Sequence, residues 1–80
     1  MLIKPGDYYR TKCPPRSYYA VECCTNWGSV ITVIATYVRE YTLRPAVYEK
    51  SKAFWWYQDT LSNLERITEE EMTLAILKAM

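Results

Sequence analysis

Three consecutive glutamates, Glu69, Glu70 and Glu71, form the densest group of side chains in this sequence that could do acid–base chemistry or hold a metal ion. They directly follow Thr68, so the segment reads Thr-x-x-Glu, the capping box that closes the amino-terminal end of a helix. Carboxylates in a first helical turn also interact favourably with the helix dipole. We therefore predict that these glutamates cap a helix and take no part in catalysis.

No other part of the sequence carries a catalytic signature. The chain contains no histidine. It also lacks a phosphate-binding loop, a G-x-S-x-G nucleophile motif and a pair of carboxylates in a pocket-forming context. Acid–base and nucleophilic catalysis depend on positioned groups of these kinds. We therefore predict that the protein is not an enzyme.

The three cysteines are Cys13, Cys23 and Cys24. Their number is odd, no C-x-x-C spacing occurs and histidine is absent, so the sequence predicts no zinc site, no disulfide framework and no cofactor. Adjacent residues of a strand point to opposite faces, which places one of the vicinal thiols in the core and one outside. We expect the core face to carry Cys23 together with Tyr19 and Val21.

Aromatic and basic residues are interleaved in two stretches, residues 8–19 and 37–44, and the whole chain has eight tyrosines, three tryptophans and one phenylalanine. A sheet that presents aromatic rings and arginines can bind single-stranded nucleic acid, because bases stack on the rings while the cations contact phosphates. The formal net charge of +1 is low for a dedicated nucleic-acid-binding domain. Single-stranded nucleic acid is therefore the alternative partner.

The aromatic side chains exceed what one side of so small a sheet can bury, so some should be exposed and contiguous. Exposed apolar patches mark association sites, and tryptophan, tyrosine and arginine dominate binding hot spots. We therefore predict a non-enzymatic module that binds a protein partner, or a second copy of itself through the sheet or an edge strand. The residues predicted to contact the partner are Arg16, Tyr18, Trp27, Arg39, Tyr41, Trp55 and Tyr57.

The element that must position these side chains is the apolar run over residues 29–41. Its β-branched residues favour a strand, since they are stiff at χ1 and fit a pleated surface. The same run also fits the apolar stripe of an amphipathic helix with Ser29 as N-cap. We expect a strand, with Val30, Thr32, Ile34, Thr36 and Val38 on one face and Ile31, Val33, Ala35, Tyr37, Arg39 and Tyr41 on the other.

Shorter apolar or aromatic runs bounded by turn residues predict the remaining strands. These runs are residues 8–12, 18–24, 46–50 and 53–58, with 64–67 as a short strand or a turn. The predicted turns and loops are residues 4–7, 13–17, 25–29, 42–45, 49–52 and 59–63. In the first of these turns, proline presets φ and glycine accepts a positive φ.

One helix is predicted over residues 68–79, after the capping box. Residues Met72, Ala75, Ile76 and Ala79 recur at helical spacing and form an apolar stripe, which Leu77 and Met80 should widen. This stripe should cover one side of the sheet. The helical end is acidic, because residues 53–80 carry a net charge of −3 and residues 1–52 carry +4.

The predicted architecture is a single α+β domain over residues 1–80, with a bent antiparallel sheet of four or five strands over 5–67 and the helix over 68–79. No apolar run reaches the roughly 18 residues that a membrane span needs. The amino-terminal sequence has no apolar signal-peptide core, so a cytoplasmic location without membrane contact is expected.

Most of residues 5–67 resemble the small SH3-like barrels encoded in bacterial and phage genomes. The residues that carry the resemblance are Gly6, Tyr8, Tyr9, Arg10, Val47, Tyr48 and Trp56. The resemblance implies an SH3-like barrel to which the carboxy-terminal helix is added. The size, cysteine use and aromatic density are also similar to those of small phage accessory proteins, which implies a modulator or inhibitor of a host protein.

Overall fold

The computed structural model describes residues 3–80, and residues 1 and 2 of the predicted 1–80 domain lie outside the described part. The elements, in chain order, are β1 (Tyr8–Thr11), β2 (Ser17–Asn26), β3 (Val30–Arg39), β4 (Val47–Tyr57), α1 (Gln58–Ser62), β5 (Leu64–Arg66) and α2 (Glu69–Ala79). The strands form one antiparallel sheet in the order β4-β3-β2-β1-β5. The predicted α+β class, with an antiparallel sheet and a carboxy-terminal helix, is confirmed.

The two described helices, α1 and α2, lack the combination of length and apolar character that crossing a lipid bilayer requires.

The strand predicted over residues 29–41 is confirmed as β3, and its helical alternative is wrong. The side chains of β3 alternate, so Ile31, Val33 and Ala35 are buried on one side of the sheet, which we call the inner face. Val38 is buried on the opposite side, the outer face, whereas Ile34 on that face is exposed. β3 is therefore covered on both sides only near its carboxy-terminal end.

Aromatic side chains dominate the core on the inner face. The Tyr19 ring meets Trp56 and Phe54 edge-on, with ring centroids 5.0 Å apart in both pairs. Tyr9 makes a further edge contact with Trp56 at 6.2 Å. Edge-to-face pairs place the positive ring edge against a negative ring face, which adds to the gain from apolar burial. Leu61 of α1 completes this cluster, where residues 59–63 were predicted as a loop.

The helix α2 covers part of the outer face, and its capping box is confirmed. The Glu71 amide donates to the Thr68 hydroxyl at 3.2 Å, and the Glu71 carboxylate accepts from the Thr68 amide at 3.3 Å. Met72 of α2 is buried in a cluster with Val38 of β3. The predicted widening of the buried stripe by Leu77 and Met80 is wrong, because both side chains are exposed. Leu77 lies more than a quarter turn around the helix from Met72, so it points away from the sheet.

Two β-bulges lie opposite each other on either side of β3. One adds a residue to β2 between Val21 and Cys23, and the other adds a residue to β4 opposite Thr36. The Glu22 carboxylate joins them, because it accepts hydrogen bonds from the Thr36 hydroxyl at 3.2 Å and the Ser51 hydroxyl at 3.0 Å. We call this feature the bulge line. The turn predicted at residues 49–52 is therefore wrong: β4 is one strand in which Ser51 adopts a φ of 53°.

The bulge in β2 also reverses the predicted orientation of the vicinal cysteines. The extra residue shifts the alternation, so that Cys24 packs against the inner core and Cys23 is exposed. The Cys24 thiol lies 3.5 Å from the Ile3 carbonyl oxygen, to which it donates. Burial raises the pKa of the Cys24 thiol. The prediction of one inward and one outward thiol is confirmed, but its assignment of Cys23 to the core is wrong.

We expect this difference to appear in thiol labelling of the native protein. An aromatic disulfide reagent at mildly alkaline pH should label Cys13 and Cys23 fast, and Cys24 at least about tenfold more slowly, because the thiolate is the reactive form. Cys23→Ser should leave one fast thiol, and Cys24→Ser should leave two. Two fast thiols in the Cys23→Ser protein would contradict the position of the bulge.

The amino-terminal turn is tied to the far edge of the sheet by Asp7. The Asp7 amide donates to the Lys4 carbonyl at 3.2 Å across Gly6, whose φ of 89° suits the second central position of a type II turn. The Asp7 carboxylate accepts hydrogen bonds from the Tyr9 hydroxyl at 2.9 Å and from Arg66 of β5 at 2.7 Å. These contacts hold the turn predicted at residues 4–7 against β1 and β5.

Candidate functional site

α2 leaves part of the outer face uncovered. The uncovered part lies on the hairpin side of the bulge line, where cross-strand neighbours such as Thr32 and Trp55 share the face. We call this surface the open face and define it by Cys23, Trp27, Thr32, Ile34, Trp55 and Tyr57. It is the largest grouping of exposed aromatic side chains among the described residues.

The exposure of the open face follows from the strand alternation of β4. Trp55 is 71 % exposed and Tyr57 is 54 % exposed, whereas Trp56 between them is 3 % exposed. Successive side chains of a strand point to opposite sides, so the burial of Trp56 in the inner core sends its neighbours outwards. The two neighbours lie opposite Thr32 and Val30 of β3, which fixes them on one surface.

The indole of Trp27 is held against the open face by the β2–β3 turn. The Trp27 amide donates to the Val30 carbonyl at 2.9 Å, and Gly28 takes the positive φ of 94° that a two-residue hairpin turn needs. The Asn26 side chain accepts from the Gly28 amide at 2.8 Å. The indole N–H then donates to the Thr32 hydroxyl at 3.2 Å. Trp27 nevertheless remains 67 % exposed, so its ring lies on the open face and is largely accessible to solvent.

The open face carries no ionisable group apart from the Cys23 thiol and the Tyr57 hydroxyl. The Glu22 carboxylate, which belongs to the bulge line, is engaged in hydrogen bonds with Thr36 and Ser51. Lys52 of β4 points to the inner side, where its ammonium lies 5.8 Å from the centre of the Tyr37 ring. An uncharged aromatic surface loses little by desolvation, which suits it to an apolar contact.

The structure places five of the seven predicted partner-contacting residues in two separate groups. Trp27, Trp55 and Tyr57 come together on the open face. Arg39 and Tyr41 lie at the other end of β3, about 23 Å away along the strand at roughly 3.3 Å per residue. A single small contact would not include both groups, so the seven predicted residues do not form one site.

The second group is an arginine–tyrosine stack. The guanidinium of Arg44 lies 3.9 Å from the centre of the Tyr41 ring, and that of Arg39 lies 5.5 Å from it. Arg39 also donates to the buried Ser17 hydroxyl at 3.1 Å. Both guanidinium groups lie within the range of a cation–π interaction, so the stack holds Tyr41 in place.

The two remaining predicted residues make contacts within the fold. Arg16 donates to the Glu65 carboxylate at 3.1 Å, and the Tyr18 hydroxyl donates to the Glu40 carboxylate at 3.2 Å. Hydrogen bonds from Arg10 first, and then from Arg16, lower the pKa of Glu65. Arg16 and Tyr41 share a shallow groove of about 430 Å³, whose other lining residues are Pro14, Pro15, Glu40, Thr42 and Ala46.

Several exposed apolar residues were missed by the sequence reasoning. The exposure of Cys23 depends on the bulge in β2, which no local sequence pattern marks. Ile34 lies on the face of β3 that was predicted for it, and it is exposed because α2 does not cover that part of the face. Leu74 and Leu77 lie on the solvent side of α2. Their signal was present in the helical spacing, because both lie away from Met72 around the helix, although Leu77 was predicted to widen the stripe that contains Met72.

Among the described residues, no group of three or more histidine, cysteine, aspartate or glutamate side chains has a geometry that could hold a metal ion.

No protein-family model, no curated protein and no solved structure matches the chain.

Proposed function

We propose that the chain is a cytoplasmic, non-enzymatic protein-binding module that acts as a small modulator or inhibitor by occupying the surface of a partner protein. The observation that carries the proposal is the open face, on which two tryptophans and a tyrosine stay largely exposed on one side of a sheet. Exposed apolar patches of this kind mark association sites in small proteins.

The way in which the sheet positions the aromatic residues of the open face supports a binding role. Trp55 and Tyr57 extend from a strand whose inner side packs in the core, and Trp27 is held by its hydrogen bond to Thr32. Side chains that are already positioned lose little conformational entropy when a partner covers them. Burial of a tryptophan at an interface commonly contributes about 2 kcal/mol or more to binding.

The lack of charge on the open face favours a protein over a nucleic acid as the partner. Single-stranded nucleic acid needs cations that follow the phosphates alongside the rings on which bases stack. The arginines that could do so, Arg39 and Arg44, lie at the other end of β3 and stack on Tyr41. That stack is the observation that supports the alternative, a nucleic-acid contact at the Tyr41 end of the molecule.

We also propose that the sheet is an SH3-like barrel that is open between β4 and β5. Its support is the strand order β4-β3-β2-β1-β5, in which β5 returns to pair with β1. Further support comes from the bulge line, since bulges bend strands and are frequent in barrels. The inner core, which gathers side chains from β1 to β5, is consistent with a strongly bent sheet.

The proposed function is tested by affinity capture from cell lysate, with and without nuclease, using the protein and its Trp27→Ala and Trp55→Ala variants. We expect one protein to be retained in stoichiometric amount after nuclease treatment, and each variant to retain at least about tenfold less of it. The thermal midpoint of each variant should stay close to that of the parent protein, because both side chains are exposed.

Leu43→Ala is the matched control, because Leu43 is 96 % exposed in the segment between β3 and β4 and lies outside the open face. Capture that is equal for all variants would overturn the proposal. Capture that disappears with nuclease, and an affinity for oligonucleotides that falls steeply with salt, would favour the nucleic-acid alternative, since released counterions drive such binding.

A further inference from the structure

The solvent side of α2 carries large apolar side chains among polar ones, although the opposite side of the helix already packs on the sheet. Leu74, Leu77 and Met80 follow one another at three-residue spacing and are 56, 61 and 80 % exposed. We call these three residues the outer stripe. Exposed Glu70 and Thr73 lie beside them, so the outer stripe is a narrow apolar strip on a solvent side that also carries polar residues. Large apolar side chains that share one exposed strip mark a contact site.

The outer stripe and the open face lie on the same side of the sheet. α2 packs on the outer face through a cluster that includes Ala20, Val38 and Tyr48, all on the α2 side of the bulge line. Trp55 and Ile34 lie on the same face beyond that line. α2 therefore stands beside the open face as a step about 10 Å high, the thickness of one helix layer.

We propose that the open face is covered by the outer stripe of a second copy of the chain, in a dimer with twofold symmetry. Each α2 packs on its own sheet through the stripe that contains Met72 and Ala75, and on the open face of its partner through its outer stripe. The inference rests on the proposed function, since it takes the open face to be a protein-binding surface. It identifies a second copy of the chain as a binding partner of the open face.

The height of α2 beside the open face allows two copies to form a closed dimer. When two protomers face each other about a twofold axis, the helix of each enters the space beside the helix of the other. One shared layer of two helices then lies between two sheets, and all four apolar surfaces are covered. Both contacts join the same two patches, as an isologous dimer requires, and no patch is left to recruit a third copy.

The exposed area is sufficient for a stable dimer. At about 200 Å² for an aromatic side chain, the exposed parts of Trp27, Trp55 and Tyr57 amount to roughly 400 Å². The outer stripe adds roughly 200 Å², at about 100 Å² for an aliphatic side chain. Two protomers together would bury roughly 1,200 Å², the lower end of the range for specific interfaces.

Pairing through the edge strand β4 is a poorer explanation of the exposed surface. The middle of β4 carries Glu49, Lys50 and Lys52 and is interrupted by the bulge at Ser51. Charges and bulges are the devices by which edge strands avoid pairing with another chain. The proposal therefore commits to contact between a helix and a sheet face.

The test is the mass in solution, measured by sedimentation equilibrium from low to high micromolar concentration. The parent protein should reach twice its monomer mass of 9.5 kDa. Trp55→Lys on the open face and Leu77→Glu on the outer stripe should each raise the dissociation constant by at least about 30-fold, because each places an unpaired charge in the contact. Leu43→Glu, which adds a charge at another exposed position, should dimerise like the parent.

Mixing the two variants tests the contact itself. In an equimolar mixture, the introduced lysine of one protomer faces the introduced glutamate of the other, and the second contact of the same dimer is unchanged. We expect the mixture to dimerise although neither variant does so alone. Circular dichroism should show that both variants are folded, and Tyr57→Lys with Leu74→Glu provides a second pair if one of them is not.

A parent protein that stays monomeric at the highest concentration would overturn the dimer. So would a Leu77→Glu protein that dimerises like the parent, or a mixture that stays monomeric. These outcomes differ from a failure of the proposed function. A monomer that captures a partner through Trp55 would lose only the dimer, whereas equal capture by the parent and by Trp55→Ala would remove the partner-binding role.

Discussion

Replacing Trp56 with alanine should remove a large share of the free energy of unfolding, whereas the same change at its neighbour Trp55 should leave stability almost unaltered. Trp56 is 3 % exposed and its ring contacts Tyr9, Tyr19 and Phe54. Trp55 is exposed on the other side of the same strand. The two variants have the same change of composition at adjacent positions, so they compare burial alone.

The expected size follows from the cavity that the substitution leaves. Removing a buried tryptophan costs about 3–5 kcal/mol, because apolar burial is lost and the surrounding rings do not collapse fully into the space. A domain of this size has roughly 4–12 kcal/mol of unfolding free energy in total. Trp56→Ala therefore removes a large share of it, while Trp55→Ala should change it by no more than about 0.5 kcal/mol.

Urea unfolding followed by far-ultraviolet circular dichroism measures both values. It should be done at low protein concentration, so that association through the open face does not add to the stability of the parent protein. Phe54→Leu, a milder change in the same cluster, should give an intermediate loss. Equal effects at positions 55 and 56 would contradict the assignment of the two faces of β4.

Asp7→Ala should give the second largest loss, about 2–3 kcal/mol, since hydrogen bonds to a carboxylate contribute more than neutral ones. The Asp7 side chain is 12 % exposed and accepts from the Tyr9 hydroxyl, from Arg66 and from the Lys4 amide. Its removal releases the amino-terminal turn from the sheet. The thermal midpoint should fall by about 10–20 °C.

The same carboxylate should make the protein sensitive to acid. Partial burial by itself would raise the pKa of Asp7, but the hydrogen bonds that it accepts, with that of Arg66 foremost, lower the pKa below its usual value. The stabilisation that the ionised Asp7 carboxylate provides is therefore complete above its unfolded-state pKa of about 4. It is lost as the pH falls from there through the lower folded-state pKa. Glu65 shifts in the same direction and adds to the effect.

Thermal midpoints of the parent and of Asp7→Asn, measured from neutral pH to strongly acidic pH, test this sensitivity. The parent should lose stability below about pH 4, and the asparagine variant should show a shallower decline because one of the titrating carboxylates is absent. Identical acid dependence in the two proteins would show that Asp7 does not carry the effect.

The alternating pattern of β3 and the capping box of α2 could be predicted from local sequence, because each depends on residues within one element. β-branched residues and period 2 identified the faces of β3, and Thr68 with Glu71 identified the start of α2. The bulge at Glu22 could not be predicted, since it depends on how two neighbouring strands pair. Cys23 was therefore assigned to the wrong face.

The candidate site was predictable in its residue types but not in its grouping. Tryptophan and tyrosine in excess of core needs indicated exposed aromatics, and Trp27, Trp55 and Tyr57 do lie together. Arg39 and Tyr41 have the same composition signature but lie at the other end of the sheet, which only the strand register determines. The sequence alone does not show which of the exposed aromatic residues lie together on one surface.

The bulge line also sets the shape of the outer face before any partner binds. Over the same span, β2 and β4 each use one residue more than β3 does, so each flanking strand carries about 3.3 Å of surplus contour length. The surplus is taken up as a kink and a stronger twist at Glu22 and Ser51. The extra residue in each flanking strand therefore determines how the part of the sheet that α2 covers is bent relative to the open face. A partner would meet a preformed surface and dock as a rigid body.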